Sequence, residues 1–449
     1  MMMSMQPFTR KPLSIISKVH QSMDVGNKIF GIYKEQEIEG TLIQEQDGIL
    51  TIKLASGYNV LLPKDELDVK SVKPIVSTKE KVHPIKQDHN LPKVSILHTG
   101  GTIASKVDYA TGAVHTQFTP EELLALFPEA STIANLTSRL VRNMWSQDIR
   151  FAHYNIMAHA VFEEQKKGAT GVIVTHGTDT LHYSAAALSF ALKGITIPVV
   201  LVGAQRSSDR GSSDAATNVF GALRFITTVQ APGVFVAMHE TSADTSIAIL
   251  DGLHVRKNHA SRRNAFIPVN GTIVARVTDT VEIVDKDRLA RWKANTDENW
   301  SVKPFNDRLR IGIWKTHTQS FADELTPYHS FDGLIIEGTG LGHIPMDTID
   351  EFTTEHEQIF AKVKELAQRI PVAITTQTVF GRINLNVYSP QRLLQEIGVL
   401  GNNCDMPTEV AFIKLAWLLS NYTTDEAKKL YSQDMLGEIS QRSPLEDWH

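Results

Sequence analysis

Two threonines, an aspartate, a lysine and a serine–glutamine pair stand in short polar stretches close to apolar runs in this 449-residue chain. Val94–Leu97 leads into Thr99-Gly-Gly-Thr102, which holds Thr102 at the carboxyl end of a predicted strand. Open α/β sheets place their ligands at such strand ends, and paired glycines let the backbone turn sharply and approach a ligand closely. Gly171–Thr175 likewise leads into His176-Gly-Thr-Asp-Thr180, with Thr178 and Asp179 at the turn. Helix capping would account for one such residue, and less well for the whole run. Ser146 and Gln147 follow the predicted strand Leu140–Met144. They fit a plain turn, or groups that hold the α-amino and carboxylate of an amino acid. Lys257 lies in Leu250-Asp-Gly-Leu-His-Val-Arg-Lys-Asn-His259. It is either a solvated surface charge or a desolvated amine that takes a proton from a hydroxyl.

Other chemistries lack their residues. His176, His182, His254 and His259 have no carboxylates at metal-ligand spacing, so no metal site is expected. There is no Gly-x-x-x-x-Gly-Lys-Ser/Thr phosphate loop, and Gly100-Gly-Thr is not a dinucleotide fingerprint. The single cysteine, Cys404, excludes an internal disulfide framework and any multi-cysteine metal site. A net charge of −5 argues against a surface that broadly coats nucleic acid. No apolar run approaches the length that spans a bilayer. The first 23 residues carry Arg10, Lys11 and Lys18 without an acid and are read as a mobile tail.

The elements that must position these residues follow from the pattern. Residues 24–75 give four short runs with turn chemistry between them, at Gln46-Asp-Gly48 and Ala55-Ser-Gly57, and no helix. This predicts a small all-β barrel. Residues 76–92, with Pro84 and Pro92, read as a linker. From 93 to 285 apolar strands alternate with helical stretches, Pro120–Phe127, Arg150–Lys167, Leu181–Lys193 and Asp214–Thr228. That alternation predicts a parallel sheet covered on both faces. The charged stretch 286–307 reads as a second linker, and 308–449 as a smaller α/β domain. The fold class is therefore α/β, a two-domain parallel-sheet core behind a small all-β barrel.

Thr99-Gly-Gly-Thr-Ile-Ala104, Ser146-Gln-Asp148, His176-Gly-Thr-Asp-Thr180 and Arg256-Lys257 together resemble the bacterial-type L-asparaginase family, over about residues 93 to 445. The resemblance implies that Thr102 and Thr178 face a substrate amide from opposite sides, with Thr102 the expected nucleophile. It implies that Asp179 and Lys257 form the relay that activates Thr178. Ser146, Gln147 and Asp179 would hold the substrate's carboxylate and amine. Tyr109 falls in 105–113, which is similar to the family's mobile lid and would exclude water on closing. In this chemistry a threonine hydroxyl attacks the amide carbon, and turn N–H groups beside Gly101 and Gly177 meet the developing oxyanion. Ammonia leaves, and water cleaves the acyl-threonine.

The roughly 90 residues before the strand that leads into Thr99-Gly-Gly-Thr102 exceed what a simple asparaginase needs. With Gly203–Asp209, Thr376–Asn384 and Asp405-Met-Pro-Thr-Glu409, they resemble the glutaminase-subunit family of archaeal tRNA-dependent amidotransferases. That implies a cytoplasmic heterotetramer in which this chain, a homodimer through its amidase domains, releases ammonia from glutamine or asparagine. The partner, the E-type subunit of the amidotransferase, would use it on Glu-tRNA(Gln). No cofactor is expected in this chain, and ATP and Mg are expected at the partner subunit. The alternative is a free-standing L-asparaginase with an added barrel, which the extension disfavours. A non-enzymatic relic should have lost one of Thr102, Thr178, Asp179 or Lys257, and none is lost. The family resemblance implies an asparagine near a Gly-rich turn, and here that turn, Glu337-Gly-Thr-Gly-Leu-Gly-His343, carries His343 and lacks the asparagine. The mixed charges of the barrel segment, Lys28, Lys34 and Lys53 among Glu35, Glu37, Glu39, Glu45 and Asp47, suit protein docking better than phosphate contact.

Overall fold

The computed structural model describes residues 23–54, 59–73, 88, 90–101, 105–107, 114–116, 128–206 and 213–442. The chain divides into two units, Met1–Glu80 with Asp108–Ala113, and Lys81–Val107 with Val114–His449.

The first unit is all β. Its strands are β1 (Lys28–Tyr33), β2 (Gln36–Gln46), β3 (Ile49–Leu54), β4 (Asn59–Pro63) and β5 (Asp68–Lys73), in the antiparallel order β4-β3-β2-β1-β5. Two tight hairpins set the register. Asp47 and Gly48, at φ 49° and 77°, join β2 to β3, and Lys34 and Glu35, at φ 45° and 67°, join β1 to β2. Consecutive positive φ values are those of turns whose twist matches the flanking strands. Alternation then points Ile29, Leu42, Leu50, Ile52, Leu62 and Leu67 into one small core. The sheet has five strands where four were expected. Among the described residues its edges, β4 and β5, share no ladder.

The second unit begins with β6 (Lys93–Gly100). The hairpin β7 (Ser105–Val107) and β8 (Val114–Thr116) comes next, then β9 (Asn135–Met144) and β10 (Gly171–Thr175). After these come β11 (Pro198–Val202), β12 (Gly233–His239), β13 (Ile247–Asp251), β14 (Val255–Lys257), β15 (Phe266–Pro268), β16 (Ala275–Val277) and β17 (Val281–Ile283). The main sheet runs β17-β16-β13-β12-β11-β10-β6-β9, and β9 through β12 pair in parallel. Helices α1 (Phe151–Lys166), α2 (Leu181–Ala191) and α3 (Ala215–Val229) are the crossovers. Strands β10 and β11 are buried at every position, as a sheet covered on both faces requires. The helix expected over Pro120–Phe127 lies outside the described residues.

The segment read as a linker, 286–307, is instead packed. It opens with α4 (Lys286–Ala294), capped by the Asp285 side chain, which accepts from Arg288 N at 2.8 Å. Trp292, Trp300 and Phe305 of this segment are buried in the main core. Buried Asp251 accepts from Trp292 Nε1 at 2.7 Å and pairs with Arg288 Nε at 2.9 Å. Its surface-like charge pattern misleads because its partners lie elsewhere in sequence.

A parallel sheet of β18 (Ile311–Lys315), β19 (Gly333–Gly338) and β20 (Val372–Thr376) follows, with α5 (Glu355–Arg369), α6 (Ser389–Glu396), α7 (Thr408–Asn421) and α8 (Thr424–Tyr431). Helix α7 packs on α2, with the rings of Phe190 and Trp417 5.4 Å apart. One apolar cluster therefore runs from β6 through α2 into α7, so the two α/β halves share a core.

Candidate active site

The carboxyl ends of β6, β9 and β10 converge, and their turns form the site. Gly101 has φ +80°, and a Cβ there would stand 2.4 Å from Gly177 N. A Cβ on Gly177 would stand 2.8 Å from Ser146 Cβ and Oγ. A side chain at Gly101 would strike the Gly177 backbone and one at Gly177 the Ser146 side chain, so these two glycines let the three turns meet. Thr180 Oγ1 donates to Ser146 O at 2.6 Å and ties the turn after β10 to the turn after β9.

Two buried histidines brace the strand ends. His98 contacts Thr175 Oγ1 at 2.9 Å and Ser138 Oγ at 2.7 Å, bridging β10 and β9. His176 donates from Nδ1 to Gly177 O at 2.6 Å, and its Nε2 lies 2.8 Å from Ser184 Oγ in α2. Burial lowers both imidazoles to about 4, so they stay neutral at neutral pH.

Gly101, Trp145, Ser146, Gln147, Gly177, Thr178 and Asp179 line a cavity of about 320 Å³. This is room for a small amino acid. Thr178 and Ser146 are buried, whereas Gln147 and Asp179 are exposed. Lys257 reaches this group from β14, which pairs with β15 in a separate two-stranded sheet. Its Nζ donates to Thr178 Oγ1 at 2.9 Å and to Asp179 Oδ1 at 2.7 Å. The Lys257 side chain is 9% exposed, so it is not a solvated surface charge.

The structure thus gathers Ser146, Gln147, Thr178, Asp179 and Lys257 from three separate stretches. Thr102 and Tyr109 lie outside the described residues, although Gly101, the neighbour of Thr102, is on the cavity wall. Trp145 lines the cavity and received no role in the sequence reading. Its signal was its place directly before Ser146 and Gln147. Among the described residues no group of three or more His, Cys, Asp or Glu side chains is gathered to hold a metal ion.

This arrangement sits on two matched domains. Residues 93–288 match "Asparaginase, N-terminal" and residues 310–431 match "Glutaminase/Asparaginase C-terminal domain". The thermostable L-asparaginase from Thermococcus kodakarensis is 30% identical, with a TM-score of 0.66. The similarity covers 78% of this chain and 100% of that one. The class is accordingly that of asparaginase-type amidohydrolase folds.

A second set of relatives covers more. The D-type glutamyl-tRNA(Gln) amidotransferase subunit of Methanococcus maripaludis (strain C5) is 38% identical over 94% of this chain and 100% of its own. Its counterpart from Pyrococcus abyssi is 38% identical over 87% of each chain. The chain belongs to this family, the D-type subunits of glutamyl-tRNA(Gln) amidotransferase.

Proposed function

We propose that the chain is the glutaminase subunit of a glutamyl-tRNA(Gln) amidotransferase. It hydrolyses the side-chain amide of glutamine, or of asparagine, and hands the ammonia to the E-type subunit. That partner converts Glu-tRNA(Gln) to Gln-tRNA(Gln) and holds the ATP and Mg. The observation that carries this reading over a free-standing asparaginase is coverage. The asparaginase covers 78% of the chain, whereas the amidotransferase relative covers 94%.

In the reaction a threonine hydroxyl, that of Thr102, attacks the amide carbon. Lys257 and Asp179 act on the Thr178 hydroxyl, an assignment supported by the 2.9 Å and 2.7 Å contacts of the amine. A proton passes to the leaving nitrogen, ammonia departs, and water cleaves the acyl-threonine to regenerate the hydroxyl. In this reading turn N–H groups beside Gly101 and Gly177 meet the developing oxyanion, and donors fixed in advance need no reorganisation during the step. Ser146, Gln147 and Asp179 hold the substrate's carboxylate and amine, and Tyr109 belongs to a closing lid. The chain works in the cytoplasm as a homodimer through its amidase domains. Among the described residues no helix is long and apolar enough to cross a membrane.

The test is reconstitution. Chain, E-type partner, ATP, Mg and Glu-tRNA(Gln) should yield Gln-tRNA(Gln) with glutamine as amide donor. Thr178→Val should block this with glutamine and leave it intact with added ammonium. If Thr178→Val supports full glutamine-dependent product, the role of Thr178 fails.

A further inference from the structure

Lys257 is held by a three-residue strand, β14, whose neighbouring residue Arg256 points elsewhere. Adjacent strand residues face opposite sides. Arg256 Nε lies 3.1 Å from Oε1 of Glu409, in the first turn of α7. The same oxygen lies 3.7 Å from His182 Nε2. His182 stands in the first turn of α2, four residues after Thr178. One carboxylate oxygen therefore touches the segment that carries Lys257 and the helix that follows Thr178 and Asp179.

Glu409 is itself fixed. It is 7% exposed, and the preceding Thr408 donates to Glu337 Oε1 at 3.1 Å and contacts Thr375 Oγ1 at 3.0 Å. Burial pushes the Glu409 carboxyl up, but His182 and Arg256 outweigh it and hold the group below its usual range. Among the described residues Glu409 Oε2 has no hydrogen-bond partner. The Arg256 guanidinium, with His182 beside it at Oε1, thus offsets the burial of this carboxylate.

We infer that Arg256 and Glu409 are positioning residues, an ion pair from opposite halves of the fold that fixes the Lys257 amine against Thr178 and Asp179. The inference rests on the reading of Lys257 as part of the amide-hydrolysing machinery. The pair makes the site depend on the seating of α7, because Glu409 reaches Arg256 and His182 from the second half. A misplacement of about 1 Å at a reacting group can cost roughly a hundredfold in rate.

The experiment is steady-state glutamine hydrolysis by the full chain for Arg256→Met, Arg256→Lys, Glu409→Gln and, as a control, Lys257→Met, with a melting curve for each. Arg256→Met and Glu409→Gln should lower kcat about ten- to a hundredfold with KM within about threefold, the range set by such misplacement. Arg256→Lys, which keeps a cation at Glu409, should recover most of kcat. The inference is overturned if the first two variants melt earlier yet keep kcat within twofold of the parent, as a merely structural pair would. Should Glu409→Gln not fold, the two Arg256 variants decide, and equal kcat in both overturns it. If Lys257→Met is inactive while Arg256→Met is fully active, only the positioning role fails. If Lys257→Met is itself fully active, the reading of Lys257 fails and the inference with it.

Discussion

Lys257 Nζ donates to Thr178 Oγ1 at 2.9 Å across 79 residues of sequence. The contact joins a short strand outside the main sheet to the turn after β10, and the amine also reaches Asp179. Lys257→Met should therefore lower glutamine hydrolysis by about 10²- to 10⁴-fold, the usual worth of positioned acid–base help. It should also change the shape of the pH–rate profile. An unchanged profile would count against a proton role for this amine.

Thr178→Val keeps the shape of the side chain and removes the hydroxyl that Lys257 contacts. It should abolish amide hydrolysis with the melting temperature nearly unchanged, because Thr178 borders the cavity. Thr102→Ala should do the same. Mass spectrometry of each variant under turnover identifies the acylated threonine. Near-full activity in either variant removes that residue from the chemistry.

Gly101→Ala tests the convergence of the turns. The new Cβ would meet Gly177 N at 2.4 Å, and φ is +80°. Strained backbone of this kind costs about 1–3 kcal/mol, and the turn must shift away from Gly177. Activity should fall at least tenfold, and thermal unfolding should come several degrees earlier. A variant as active and stable as the parent would mean that the close approach is not needed.

Acid should loosen the site before it protonates most carboxylates. His98 and His176 are lowered by burial from 6.5 to about 4. The unfolded chain then binds more protons than the folded one between these values. Stability present above about pH 6.5 is lost progressively as the pH falls towards 4. The melting temperature should drop between pH 7 and pH 5, and by less in a His98→Asn/His176→Asn double variant. Equal drops would show that the acid sensitivity lies elsewhere.

Removal of residues 1–75 tests the separateness of the first unit. The second unit has its own large core, so the truncated chain should retain cooperative unfolding and glutamine hydrolysis. Coupling to the partner or to tRNA-dependent product should weaken. Intact coupling after truncation would leave the β unit without a role in the complex.

The turns that line the candidate cavity were legible because their residues cluster beside local apolar runs. The patterns around Thr178, Asp179, Ser146 and Gln147 are each contained within a few residues, and so are the strands that precede them. What escaped was non-local. β5 reads Asp-Val-Lys-Ser-Val-Lys, with too little apolar content to register as a strand until β1 pairs with it. α4 looked like a solvated charge run because Asp251, which accepts from Trp292 and pairs with Arg288, lies 41 residues from that tryptophan. Glu409 was visible only as part of a motif. Its contact with Arg256 requires two halves of the chain to fold together.

The most direct measurement is ammonia release from glutamine and from asparagine by the purified chain, with and without the E-type partner, Glu-tRNA(Gln) and ATP. Slow hydrolysis alone that rises when partner and charged tRNA are present is the predicted result. Fast asparagine hydrolysis that is indifferent to every added component would contradict the account and make the chain a free-standing asparaginase.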